Sequence, residues 1–291
     1  MSVNLRQRLT LVSAMLSIFL VGACSTGSSV HQQEGTMSIS NKQKVLDLLK
    51  SIETGDSRPV VYINPEKYVQ HNLAVADGLE GLGALLQLLP KGSARVNTMR
   101  VFEDGEFVFA HTDYNIFGPK IGFDVFRFEA GRIVEHWDNL QEKPTAPNPS
   151  GRSMIDGPTI ATDLGNTTAN KALVKAFIEE ILVKGRMDKL SDYIQGENYL
   201  QHNPKIADGL LGLGAAIEAM ARAGITMKYD RVHRVLGEGS FVLTVSEGSF
   251  AGKHVAFYEL FLVQNNKLVE HWDTIEEIPE RADWKNDNGK F

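Results

Sequence analysis

Apolar residues recur at two different periods along this chain, and each period appears twice. Val45, Leu46, Leu48 and Leu49 lie at helical spacing, and Leu173, Val174, Phe177, Ile178 and Ile181 repeat it more fully. A second helix is expected after Asp77, where Asp77 and Glu80 form a D-x-x-E capping box ahead of Leu82, Leu85, Leu86 and Leu89. Pro90 ends it. Beyond these helices the period drops to two. Segments 94–103, 106–116, 120–129 and 132–140 are rich in Val, Phe and Ile, with turn signals at Asp104-Gly105, Gly118-Pro119 and Ala130-Gly131. The second half repeats the series, with Glu238-Gly239 and Asn265-Asn266 at two corners. Helices followed by a strongly curved antiparallel sheet predict an α+β fold whose N-terminal helices cover one face.

The repetition is one of sequence as well as of pattern. "YVQHNLAVADGLEGLGALL" from Tyr68 returns as "YLQHNPKIADGLLGLGAAI" from Tyr199, about two thirds identical at an offset of 131. "GRIVEHWDNLQEKP" from Gly131 returns as "NKLVEHWDTIEEIP" from Asn266. A period near 130 is too long for a solenoid and describes a duplicated domain. The expected organisation is domain 1 over 41–145, a Pro-, Gly-, Ser- and Thr-rich linker over 146–169, domain 2 over 170–279 and a tail over 280–291.

Residues 1–23 read as a signal peptide, with Arg6 and Arg8 ahead of the apolar run "LTLVSAMLSIFLVGA". "VGAC" resembles a bacterial lipobox and makes Cys24, the only cysteine, the expected lipidation site. Residues 24–40 would then be a lipidated cysteine and flexible tether, placing the protein in the cell envelope, anchored on its periplasmic or extracytoplasmic face. Cleavage removes two arginines and no acid, moving the net charge from −6 to −8. An acidic chain without a basic cluster argues against nucleic acid as a partner. The expected membrane contact is through the lipidated N-terminus alone.

Candidate chemistry follows from strand alternation. Gly122, Asp124, Phe126 and Phe128 share one face, and Phe257, Glu259, Phe261 and Val263 share its counterpart. An acid on an aromatic face is either a hydrogen-bonded structural carboxylate or a pocket acid or base with a raised pKa. Phe107, Phe109, His111 and Asp113 share a face of the preceding strand, and His111 and Asp124 would meet if the two faces adjoin. Val245 replaces His111 in the second copy, which suggests divergence. His71-Asn72 and His202-Asn203 lie in polar turns, where they either satisfy backbone groups or touch a ligand. In "EHWD", alternation separates His136 from Trp137 and His271 from Trp272, leaving open which of each pair faces inward. No metal-ligand spacing, nucleophile elbow or dinucleotide fingerprint is present, so neither metal nor cofactor is expected.

The phrase "YVQHN…ADGLEGL", the strand "FDVFRFEAGRIVEHWD" and their second copies resemble the SnoaL-like polyketide cyclase family of the nuclear transport factor 2-like superfamily. The resemblance implies two tandem cone-shaped α+β barrels, packed as an intramolecular pseudo-dimer or forming a homo-oligomer. It also implies cofactor-independent proton-transfer chemistry on a small apolar or carbonyl-containing ligand. Asp124 would be the acid/base with His71 and His111 as pocket partners, and Glu259 and His202 a weaker second set. Asn72, Phe126, His136, Trp137, Asn203, Phe257, His271 and Trp272 would line the two ligand sites. The competing expectation is a non-catalytic small-ligand-binding or assembly module on the same scaffold.

Overall fold

The computed structural model describes residues 39–90 and 92–291. The expected leader, Cys24 and the tether through residue 38 therefore lie outside the described residues. The first repeat runs α1 (Asn41–Thr54), a 3₁₀ turn (Arg58–Tyr62), β1 (Val69–Gln70), α2 (Gly78–Leu88), β2 (Arg95–Asp104), β3 (Phe107–Asn115), β4 (Pro119–Glu129) and β5 (Arg132–Glu142). The second runs α3 (Thr167–Phe177), which continues as a π turn (Ile178–Val183), then α4 (Leu190–Tyr193) and β6 (Leu200–Gln201). It ends with α5 (Gly209–Arg222), β7 (Met227–Glu238), β8 (Phe241–Phe250), β9 (Lys253–Gln264) and β10 (Lys267–Glu277).

Each repeat forms one five-stranded sheet, ordered β1-β5-β4-β3-β2 and β6-β10-β9-β8-β7. All pairings are antiparallel except those of β1 with β5 and β6 with β10. Register shifts in β2, β5, β7 and β10 bend the sheets, as bulges do. Helix α1 starts at Ser40, whose hydroxyl accepts from the Gln43 amide, and stops at Gly55 in the left-handed conformation. Its buried Val45, Leu48 and Leu49 cover one face of the first sheet, and Val174, Phe177, Ile178 and Ile181 do the same for the second. Both repeats are therefore α+β, as the apolar periods require.

Asp77 stands at the start of α2 without capping it. Its Oδ1 instead accepts from the Gln70 amide (2.9 Å) and from Asn288 (2.7 Å), so the capping box expected there does not form. The glycines of "ADGLEGL" have separate reasons. Gly78 holds φ +72°, and a Cβ on Gly81 would collide with the Ala76 carbonyl.

The faces turned away from the helices are also buried, against each other. Phe102, Phe109, Phe123, Val125 and Trp137 of the first sheet pack with Leu236, Phe241, Leu243, Tyr258, Leu260 and Trp272 of the second. Polar groups close this seam in reciprocal pairs. Lys42 bridges to Glu238 (2.8 Å) and Lys171 to Asp104. Glu276 accepts from the Leu140 amide (3.1 Å), and Gln141 accepts from the Ile275 amide (2.9 Å). The two repeats thus form a pseudo-dimer within one chain.

The segments expected to be a linker and a tail are straps, each crossing to the other repeat. Asn148 donates to the carbonyls of Gln201 (2.6 Å) and Ile206 (3.0 Å), and Arg152 pairs with Asp208 (2.9 Å). In mirror fashion, Asn286 donates to the carbonyls of Asn72 (2.8 Å) and Val75 (2.9 Å). Lys285 donates its amide to the Leu73 carbonyl (2.8 Å). Removing the Asn286 donor leaves two carbonyls without it, at least one in a buried bond, at a cost of about 1–3 kcal/mol. Asn286→Ala should therefore lower the thermal midpoint by a few degrees, as followed by circular dichroism. An unchanged midpoint would show that the strap does not hold the first repeat.

Candidate functional site

Alternation along β4 and β5, opposed in register, decides which side chains meet. Asp124 lies opposite Asp138, and Phe126 opposite His136, so all four share the helix-bearing face. Asp124 is buried there between two partners. Tyr114 donates its hydroxyl to Oδ2 (2.7 Å), and His136 Nε2 lies 3.2 Å from Oδ1. Phe126 stacks on the His136 ring at 4.5 Å. Asn72 donates to Asp138 Oδ2 (2.6 Å).

The proton count follows from Gln70. Its Oε1 accepts from the Asn72 amide (2.9 Å), which fixes the orientation of its side chain. The same oxygen faces His136 Nδ1 at 3.1 Å, so Nδ1 carries a hydrogen and donates. His136 Nε2 and Asp124 Oδ1 then share a single proton, either as imidazolium and carboxylate or as neutral imidazole and carboxylic acid. Burial pushes the Asp124 pKa up, and the charge of Asp138 adds to the rise. The bonds from His136 and Tyr114 oppose it without cancelling it. Burial and the nearby Asp124 hold the Tyr114 hydroxyl protonated far above its ordinary range, keeping it a donor.

The second repeat rebuilds the set with two changes. Glu259, His271 and Asp273 replace Asp124, His136 and Asp138, and Gln201 Oε1 accepts from His271 Nδ1 (2.9 Å) and from the amides of His202 and Asn203 (both 2.9 Å). Asn203 donates to Asp273 (2.7 Å), and Phe257 lies on the same face, stacked on Tyr229 at 4.1 Å. The tyrosine has moved one strand. In the first sheet Tyr114 on β3 stands opposite Val96 on β2, and in the second Tyr229 on β7 stands opposite Gly248 on β8. The hydroxyl still reaches the acid, at 2.9 Å from Glu259. The extra methylene of Glu259 opens its distance to His271 to 3.6 Å. Glu259 Oε2 and His271 Nε2 are buried with no hydrogen-bond partner among the described residues, as are Asp273 Oδ1 and, in the first repeat, its equivalent Asp138 Oδ1. Burial raises the Asp273 pKa, against the opposing charge of His271 and the bond from Asn203.

Several expected site residues lie on the other side of the sheet. His111 is paired in register with Phe123, one position from Asp124, and therefore faces the seam. It stacks on Phe123 at 4.2 Å with Nδ1 3.2 Å from Arg100, so it does not share a cavity with Asp124. Burial and the Arg100 charge drive its pKa well down. His71 and His202 also leave the site. Each stacks on a seam tryptophan, Trp137 at 4.6 Å and Trp272 at 4.7 Å. Each bonds a glutamate, Glu135 (2.9 Å) or Glu270 (2.7 Å), and a strap carbonyl, Gly289 (2.8 Å) or Ser153 (2.6 Å). The strap on each "QHN" turn explains why these histidines cannot serve as pocket donors. Trp137 and Trp272 likewise line the seam and not the face of Asp124 and Glu259, and His136 and His271 are the inward members of each "EHWD".

The expectations omitted Tyr114, Tyr229, Asp138, Asp273, Gln70 and Gln201. The two aspartates were detectable, since period two from His136 or His271 lands on them. The replacement of His111 by Val245 concerns the seam, so it says nothing about divergence of the site. Asp124, His136 and Asp138 each offer a ligand atom within 4.8 Å of the others. A cation there would displace the proton shared by Asp124 and His136.

The fold and site define a duplicated α+β protein with a buried carboxylate–histidine–carboxylate cluster in each repeat. No family model and no curated protein matches the chain. Among solved structures, it is similar to an NTF2-like protein of unknown function from Cytophaga hutchinsonii, at 15% identity and TM-score 0.33, covering 36% of this chain and 94% of that one. It is also similar to IdmH, a candidate polyketide cyclase from Streptomyces antibioticus, at 17% identity and TM-score 0.31, covering 35% and 93%. An LEH-like epoxide hydrolase from M. tuberculosis gives 20% identity and TM-score 0.30, covering 38% and 84%.

The raised Asp124 pKa sets a pH signature. Below the unfolded-state value of about 3.8 both states are protonated, and the contribution to stability is fully present. It is lost as pH rises through the folded-state value. Asparagine never ionises, accepts from Tyr114 and donates to His136, so Asp124→Asn escapes that loss. Its thermal midpoint should exceed that of the wild type at pH 8, with the gap closing as pH falls toward about 3.8. A lower midpoint at pH 8 would mean that an Asp124–His136 ion pair holds the fold.

Proposed function

We propose that the first repeat is a cofactor-independent acid/base site acting on a small apolar carbonyl compound or ester. The observation that carries this reading is the 3.2 Å approach of His136 Nε2 to the buried Asp124 carboxyl, whose pKa burial raises. A carboxylate of raised pKa, freed of its imidazole partner as substrate enters, can take a proton from a carbon next to a carbonyl. His136, held by Gln70, is then placed to donate to the developing oxyanion, the role expected of His71 or His111. Tyr114 steadies the second oxygen of Asp124 throughout. The second repeat supports a different reading. Its unpartnered Glu259 Oε2 and His271 Nε2, which have partnered counterparts in the first repeat, suit a polar ligand that is held without turnover.

A generic base-dependent reaction tests both readings, namely ring opening of 5-nitrobenzisoxazole followed by absorbance. The wild type should show saturable acceleration that Asp124→Asn lowers about 10²-fold or more, whereas Glu259→Gln should change it less than about 3-fold. Equal rates for wild type and Asp124→Asn would remove the catalytic assignment.

We propose further that Cys24 carries a lipid anchor. No described helix is long and apolar enough to cross a membrane, so attachment in this reading depends on that residue. Incorporation of an alkyne-labelled fatty acid should occur in the native chain and be absent in Cys24→Ser. Label retained in the variant would refute the anchor.

A further inference from the structure

Each seam tryptophan is covered by an arginine from the opposite repeat. The Arg100 guanidinium lies 4.4 Å from the ring of Trp272, and Arg234 lies 3.9 Å from the ring of Trp137. With the histidine stacked on each indole, the two assemblies are built from the same parts, yet only one of them is completed. Beside Arg100, the strap supplies carbonyl oxygens at Pro158 (2.8 Å), Ile155 (3.2 Å) and Asp156. The Asp156 carbonyl also accepts from Trp272 Nε1 (2.9 Å). One oxygen thus bridges guanidinium and indole, and Gly157 at φ +93° lets the strap lie against Glu270 and Trp272.

At the second assembly the donors are present and the acceptors are not. Trp137 is 1% exposed, and its Nε1 has no hydrogen-bond partner among the described residues. The half-buried Arg234 makes no hydrogen bond to any described residue, and the fully buried Tyr258 hydroxyl, within its electrostatic reach, is unpartnered. The nearby Glu135 makes no hydrogen bond to Arg234 and is directed instead to His71 Nε2 (2.9 Å) and Arg127 Nε (2.7 Å). A half-buried forked cation that bonds no described residue, beside a buried indole N–H without an acceptor, forms a site complementary to a planar oxyanion.

We propose that Arg234 and Trp137 bind a small carboxylate at the seam, with one oxygen placed as the Asp156 carbonyl is placed at Trp272 and Arg100. The second oxygen rests on the Arg234 fork. The site is separate from the Asp124 cluster, since Trp137 faces the opposite side of β5 from His136 and Asp138.

The test follows the tryptophan indole N–H resonances of the protein by NMR during titration with sodium acetate at constant ionic strength, with Trp137→Phe assigning the Trp137 signal. Acetate should shift that signal saturably while the Trp272 signal stays in place. Arg234→Gln should raise the half-saturating concentration at least 10-fold, with an unmoved Trp272 signal reporting an intact seam. Arg234→Lys, which keeps the charge without the fork, should weaken acetate less than Arg234→Gln does. N-methylacetamide should have no effect. If it shifts Trp137 and acetate does not, the site takes neutral carbonyls and the carboxylate assignment fails. If neither probe shifts Trp137, or all tryptophans move together without saturation, there is no such site.

Discussion

Both faces of each sheet are buried, and strand alternation then leaves every second residue no choice of chemistry. On β5, His136 and Asp138 go to the helix-bearing face while Glu135, Trp137 and Asn139 go to the seam. A chain with one buried face could place polar residues freely on the other. Here Asn139 needs Thr274 (2.9 Å to its carbonyl), Glu135 needs His71 and Arg127, and Trp137 sits under Arg234. Burying polar groups on two sides demands two sets of partners. The second repeat and its strap supply the set at the seam. Duplication in this chain is thus the condition under which one strand can carry a buried acid–histidine face and an interface together.

The exchange of straps follows from the same constraint. A "QHN" turn exposes backbone carbonyls at the edge of the seam, where neither its own helix nor its own sheet reaches. Asn148 and Asn286 reach them from the other repeat and stand at equivalent places in "NPSGR" and "NDNGK". The segments are short of apolar residues because they work through amides and carbonyls, which is also why their composition reads as linker and tail. Their likeness lay in five residues after a variable stretch, too little to register beside the long repeats.

Much of the architecture was legible because it rests on apolar period. The helices, the strands with their turns and the duplication all appear in the spacing of Val, Leu, Ile and Phe. The acids of the site were legible for the same reason, Asp124 and Glu259 being charged residues in the apolar phase of a strand. The histidines were not, since a polar residue beside a glycine-rich helix start gives no phase to read. His111 shows the limit of alternation. It places His111 with Phe109 correctly, but only the pairing of Ala110 with Asp124 reveals that the two faces are opposite. Tyr114 and Tyr229 were hidden for another reason. Their equivalence exists across strands and vanishes when the repeats are aligned along the chain.

That displaced tyrosine bears on what each site does. The ring on β7 stands opposite Gly248, where a Cβ would collide with the Lys228 carbonyl and crowd Phe257, the ring on which Tyr229 stacks. Two coordinated changes that keep a hydroxyl on the acid argue that the hydroxyl–carboxylate pair matters in both repeats. The change from Asp124 to Glu259 acts in the opposite direction, since it preserves charge and tyrosine contact while breaking the short approach to histidine. At 3.2 Å the Asp124 carboxyl and the His136 ring are within hydrogen-bond reach of each other, whereas at 3.6 Å His271 Nε2 bonds neither Glu259 oxygen and Glu259 Oε2 is left without a partner among the described residues. The two repeats therefore keep the same acid, imidazole and hydroxyl but differ in whether the acid and the imidazole bond each other.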